Sequence, residues 1–420
     1  MHRIDGYRRS YDWGSPTAMF SFLGLQPDGS PFAENWFGAH PTGPSPVALP
    51  DGSTVSLQEL IAADPTAALG TRVAASFGKR LPFLLKLLAP ARPLSMQVHP
   101  TPEQARDGYA AEEENGVPPD DPARSYKDAS HKPEMVYALT RFEGLVGFRP
   151  ADQLSTVLEP LQAAGARAAL TALRSAPVAA GRRAALEVLL ELSPAEVVSL
   201  VRECAVFAND SHRRATVPPA TAAAYTTVTE LARFYPGDVG AVLSLLLNRV
   251  VLEPGQLVFL GDGVPHAYLS GFGVELMANS DNVLRLGLTT KHVDADAMLV
   301  SLDFAQEGCV IDTGTAAGGS HLFTPDVTEY ALSVTHVDDA RSRSGSESVE
   351  NAAATFGMLP VELPGNGPRL VLCVAGTTRL KSEADPAGLD LRRGQAAFVP
   401  AADGALSLSG SGTVAQAFVP

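Results

Sequence analysis

Leu94-Ser95-Met96-Gln97-Val98-His99-Pro100 alternates apolar and polar residues, the period of a strand with one buried face, and is closed by a proline. That period puts Gln97 and His99, two apart, on one side of the strand, where an amide oxygen and an imidazole can converge on one ion. Neutral imidazole is a common ligand for zinc, whereas a glutamine carbonyl is a poorer one that needs company. A same-face polar pair is equally compatible with a solvent-facing or hydrogen-bonded strand, so these two residues leave the ligand role open.

Outward from this stretch, Pro82-Phe83-Leu84-Leu85-Lys86-Leu87-Leu88 reads as another strand, and the Pro and Gly punctuation of the first 150 residues predicts short strands joined by turns. On the other side, Thr101-Pro102-Glu103 favours a helix start, followed by a loop running to Ser130. From Ala151 to Leu247 the composition shifts to helix formers at helical spacing. Ser193-Pro194-Ala195-Glu196 is a capping-box pattern, and the apolar stripe of Val197, Val198, Leu200 and Val201 behind it is read as core packing. After Val250 the strand-and-turn pattern returns and continues to Pro420. There Gly255-Gln256-Leu257-Val258-Phe259-Leu260 is echoed by Gly394-Gln395-Ala396-Ala397-Phe398-Val399, which sets His266 opposite Ala405. The echo suggests two related β units, the second without a ligand position. Asp338 to Val349 reads as an exposed loop.

At 420 residues and 44.0 kDa the chain exceeds one ordinary core, so two or three domains are expected. A net charge of -14 disfavours a nucleic-acid partner, and an anionic substrate would need a local basic pocket. Cys204, Cys309 and Cys373 are scattered and form no CxxC pair, so a metal must use nitrogen and oxygen ligands. The N-terminus lacks the apolar core of a signal peptide and no apolar run approaches the roughly 20 residues of a membrane span, so a cytoplasmic location is expected.

Company for Gln97 and His99 is offered by His131-Lys132-Pro133-Glu134 and Pro265-His266-Ala267-Tyr268, each at the edge of a strand-like run. One carboxylate, two imidazoles and an amide oxygen would leave a divalent ion positive and open to water or substrate, a catalytic rather than a structural arrangement. By residue type alone, Glu134 could instead pair with Lys132, and His266 could be a buried histidine beneath a turn.

Three longer signatures resemble the type I phosphomannose isomerases. They are Leu94 to Pro100 with the preceding Pro82 to Lys86; Tyr126-Lys127-Asp128-Ala129-Ser130-His131-Lys132-Pro133-Glu134, with Ser130 where the family has Asn; and His266-Ala267-Tyr268 on through Glu275 to Asn282, Arg285 and Lys291, with Thr290 where Pro is usual. Glu34-Asn35-Trp36-Phe37-Gly38-Ala39-His40-Pro41 is similar to the family as well. The resemblance implies a mainly β fold with a helical insertion, two cupin-like jelly rolls plus an α-helical domain. Residues 1–150 and 249–308 would form the catalytic jelly roll, 151–248 the helical domain, and 309–420 a C-terminal jelly roll without a metal site. It implies interconversion of mannose 6-phosphate and fructose 6-phosphate, one zinc ion per chain on Gln97, His99, Glu134 and His266, and an active-site arginine at Arg285.

His131 and Lys132, beside Glu134, are then placed as proton handlers, with Glu275 and Asp281 as rival bases. Arg285, Lys291 and Lys86 would supply the local positive field, and Lys86, Lys291 and Glu275 are expected to bind substrate. The expected partner is a small sugar phosphate met by a monomer, with neither nucleic acid nor membrane. Two rivals are a metal-bound sugar-phosphate sensor that has lost catalysis and an oxygenase with iron on His99, His266 and Glu134.

Overall fold

The computed structural model describes residues 1–49, 51–338 and 360–420, so residues 339–349 of the expected exposed loop lie outside the described part. Contacts divide the chain into two compact units, one of Met1–Ala89, Gly273–Asn279 and Asp312–Pro420, the other of Pro90–Phe272 and Ser280–Ile311.

The first unit is built on a broad antiparallel sheet whose centre is the long pair Arg369–Ser382 and Leu406–Phe418. Ala396–Val399 lies along Arg369–Leu372, and the N-terminal strand His2–Ile4 adds to its other edge. Val371, Cys373, Leu380, Leu391, Val399, Leu408 and Val414 form one buried cluster there. A further set, Tyr7–Arg9, Glu34–Phe37, Phe83–Leu88 and Gly273–Ala278, pairs in that order and sets Trp36, Lys86 and Glu275 side by side. Besides the short helix Ala18–Leu23, the strand-only expectation misses two consecutive helices in this unit, Leu57–Ala63 and Pro65–Phe77. Ser56 and Glu59 form a capping box for the first, and Asp64 caps the second with Pro65 in its first turn, so residues read as turn punctuation are helix starts.

In the second unit five antiparallel strands run in the order Leu247–Leu252, Phe142–Phe148, His266–Ser270, Met96–Val98 and Leu284–Gly287. Glu134–Ala138 pairs separately with Leu257–Leu260. Between Ala151 and Leu246 the chain is helical, including Pro194–Asn209 with the Ser193–Glu196 capping box. The helix Pro102–Glu114 starts after Thr101, whose hydroxyl and the Gln104 side chain cap it reciprocally.

Alternation along the five strands separates their two faces. Met96, Val98, Leu145, Ala267, Leu269, Leu284 and Leu286 join one apolar cluster with Leu154, Leu186, Leu200, Tyr225 and Leu246 of the helical segment. The intervening residues Gln97, His266, Tyr268 and Arg285 therefore point to the face away from the helices. One side of the sheet is thus covered by the insertion, and the other carries the polar side chains.

Candidate metal centre

His266 and Arg285 lie directly opposite Gln97 on the two strands that flank it, so the three side chains form a row across the polar face. His99 follows at the end of the Gln97 strand, and Glu134 opens the strand Glu134–Ala138. The result is a buried triad: His99, Glu134 and His266 each offer a ligand atom, and these atoms all lie within 4.8 Å of one another. Glu134 Oε1 is 3.3 Å from His99 Nε2, and Glu134 Oε2 is 3.6 Å from His266 Nε2.

The tautomers suit a metal. His99 Nδ1 donates to the Asn282 carbonyl at 2.7 Å and His266 Nδ1 to the Val264 carbonyl at 2.9 Å, which leaves Nε2 of each ring with its lone pair facing Glu134. His99 Nε2 is buried and, among the described residues, has no hydrogen-bond partner. An orphaned buried nitrogen is costly unless something else satisfies it. Gln97 Nε2 lies 3.1 Å from His266 Nε2, and a half-turn of that amide presents its oxygen to the same space. Two nitrogens, a carboxylate and an amide oxygen, with no thiolate, fit a zinc ion that keeps room for substrate.

Burial pushes the His99 imidazole down to about 4, so the ring is neutral and able to coordinate at neutral pH. Burial alone would raise Glu134, but the Lys132 ammonium, 3.2 Å from Oε1, outweighs it and holds the carboxyl well below the usual carboxylate range. The Tyr268 hydroxyl donates to the other oxygen at 3.2 Å.

Asn282, which the sequence reading quotes without assigning a role, ties the centre to the loop before Glu134. Its side chain accepts from the Lys127 N–H at 2.7 Å and donates to the Asp128 and Ser130 carbonyls at 2.6 and 2.8 Å, while its own carbonyl orients His99. The Ser280 hydroxyl adds bonds to Asp128 and to the Ser130 carbonyl. His131 Nδ1 lies 3.0 Å from Asp262 Oδ2, another partner the sequence reading does not single out.

Arg285 is half-buried beside Gln97, and burial lowers its guanidinium from the usual value. Among the described residues it has no hydrogen-bond or ion-pair partner. An arginine stays charged even so, and an uncompensated, partly desolvated guanidinium is a receptor for an anion. Lys86 and Glu275 belong to the first compact unit, where they form a buried pair at 2.7 Å with the Lys86 ammonium over the Trp36 ring. Lys291 is exposed, and Asp281 is exposed with its N–H bound to Asp128. Within the second unit the predicted residues Gln97, His99, Glu134, His266, Lys132 and Arg285 are therefore brought together.

Residues 1–151 match the family model of the phosphomannose isomerase type I catalytic domain. The chain is 34% identical to the mannose-6-phosphate isomerase of Salmonella typhimurium, with 100% of this chain and 99% of the relative covered. It is 31% identical to mannose-6-phosphate isomerase 1 of Arabidopsis thaliana over 94% of this chain and 88% of that one. Among solved structures, a zinc-bound mannose 6-phosphate isomerase matches with a TM-score of 0.86 and 32% identity, with 100% of this chain and 99% of the other covered.

Proposed function

The chain belongs to the type I phosphomannose isomerase family, and from that premise we propose that it interconverts mannose 6-phosphate and fructose 6-phosphate with one zinc ion on Gln97, His99, Glu134 and His266. When bound, the ion supplies a Lewis-acid charge that favours negative oxygen by on the order of several kcal/mol.

The reaction carries a proton between C2 of the aldose and C1 of the ketose through an enediol. His131, backed by a carboxylate, takes the C2 proton; the C–H electron pair becomes the C1–C2 double bond and the carbonyl pair moves onto O1. Lys132, whose ammonium lies 3.2 Å from Glu134, gives O1 its proton and recovers one from O2 as the new carbonyl forms. His131 then delivers its proton to C1, and both residues end as they began. Arg285 holds the phosphate or the enediolate oxygen in its fork. The same reading assigns Lys86, Lys291 and Glu275 to substrate binding. We place the enzyme in the cytoplasm as a monomer acting on a small sugar phosphate, and the net charge of -14 supports this by disfavouring a nucleic-acid partner.

The observation that carries the proposal is the row His266, Gln97 and Arg285, in which metal donors and an unpartnered guanidinium share one sheet face. Arg285→Ala is expected to lower kcat/KM for mannose 6-phosphate by about 100-fold or more while zinc remains at one per chain. Zinc loss as the main defect would contradict it.

A further inference from the structure

The loop Gly261 to Pro265 touches the centre at several points. The Gly263 N–H donates to the His99 carbonyl at 2.9 Å, the Gly263 carbonyl accepts from the Asp303 N–H at 3.0 Å, and the Val264 carbonyl receives the His266 Nδ1 proton. Gly263 has φ +75°, and a Cβ there would meet Asp303 Cβ and N at 3.0 Å and the Ser301 carbonyl at 3.1 Å, so the backbone is confined to this path. Asp262 is carried on that fixed stretch.

Its carboxylate reaches out of the loop to His131, with Oδ2 3.0 Å from Nδ1. Among the described residues His131 is the only hydrogen-bond donor to this carboxylate, and Oδ1 is buried without a partner. A carboxylate on Nδ1 puts the proton of the neutral ring on that nitrogen, makes Nε2 the basic atom, and stabilises the imidazolium that forms when Nε2 takes up a proton.

We propose that Asp262 is the positioning residue for His131, fixing its tautomer and orientation so that Nε2 carries the proton during isomerisation. This rests on the role given to His131 above. Asp262 neither gains nor loses a proton in the cycle, because the proton that Nε2 accepts from C2 is delivered to C1. The loop thereby couples metal and proton handling: its backbone orients His266 and braces His99, while its one carboxylate orients the base.

The test uses Asp262→Asn, Asp262→Glu, His131→Ala and the double variant Asp262→Asn/His131→Ala, all zinc-loaded. In nitrogen-15 spectra, with the His131 signals identified by their loss in His131→Ala, the wild type is expected to show the Nδ1–H tautomer and Asp262→Asn to lose it. Asp262→Asn should lower kcat by about 10- to 100-fold with KM changed less than about twofold and zinc still one per chain, and Asp262→Glu should recover part of the loss. The double variant should be no slower than His131→Ala, since two residues acting as one unit are not additive. An unchanged tautomer with unchanged kcat would overturn the proposal, as would an Asp262→Asn effect of full size in the His131→Ala background. A wild type that formed no fructose 6-phosphate would overturn the reaction assigned above, and the tautomer signal, which needs no turnover, would still decide for or against the hold of Asp262 on the ring.

Discussion

His99 is fully buried, donates through Nδ1 to a backbone carbonyl, and keeps Nε2 without a hydrogen-bond partner among the described residues. That carbonyl belongs to Asn282, whose side chain bridges the loop 127–130. Asn282→Ala preserves the carbonyl but removes four side-chain bonds that hold it in place, one of them from the Asp128 N–H. Zinc affinity is expected to fall by about 10- to 100-fold, read by competition with a chromophoric chelator, and an affinity equal to wild type would refute the coupling. Strand alternation was enough to point Gln97 and His99 in one direction. Glu134 and His266 were legible only through long motifs, because nothing local says that strands so far apart in the chain meet. Asn282 and Asp262 escaped assignment for a related reason: one acts through its backbone oxygen and the other on a ring 131 positions away.

Among the elements, the five-stranded sheet of the second unit has its apolar face packed on the helical segment and its polar face given to the donors. Glu143 on the second strand of this sheet binds Arg249 on the edge strand, and Arg249 reaches Glu230 at 2.6 Å and the Thr227 hydroxyl at 2.9 Å on the helix Pro219–Phe234. Burial raises the Glu143 carboxyl, but the hydrogen bond and charge of Arg249 and the nearby Arg141 outweigh it, so its pKa in the fold lies below the ordinary carboxylate value. The unfolded chain thus binds more protons near that value, and the stabilisation is present above it and lost as pH falls through the folded pKa. Glu143→Gln should therefore lower Tm at pH 7 and differ progressively less from wild type as pH drops below about 4. A gap independent of pH would mean that the Glu143 charge contributes nothing. Helices from Ala151 onward were legible because apolar stripes and a capping box agree over a long segment. Those at Leu57–Phe77 were not, since they are short and begin at Ser56 and at Asp64-Pro65, residues that signal turns as readily.

Across the whole molecule, the echo between Gly255 and Gly394 extends to bonded geometry. Gly255 has φ +92° and donates to the Ala138 carbonyl; Gly394 has φ +86° and donates to the Cys373 carbonyl. In each turn the following glutamine caps a backbone N–H three residues earlier. The strand after each turn pairs in matching register, Leu260 with Glu134 in one unit and Val399 with Arg369 in the other. Arg369 therefore occupies the position of the metal-binding carboxylate. It is fully buried and donates to the carbonyls of Gly365 and Gly404, the latter next to Ala405, the counterpart of His266. A built-in guanidinium at the position of the carboxylate and an alanine at that of His266 disfavour a second metal there, so the chain should hold one catalytic ion. The most direct test is to strip the protein with a chelator and return zinc stepwise while following conversion of mannose 6-phosphate to fructose 6-phosphate. Activity should vanish on stripping and return in proportion to zinc until one ion per chain is bound, then stay level. Turnover that persisted in the stripped protein, or that rose until two ions were bound, would contradict a single zinc centre on Gln97, His99, Glu134 and His266.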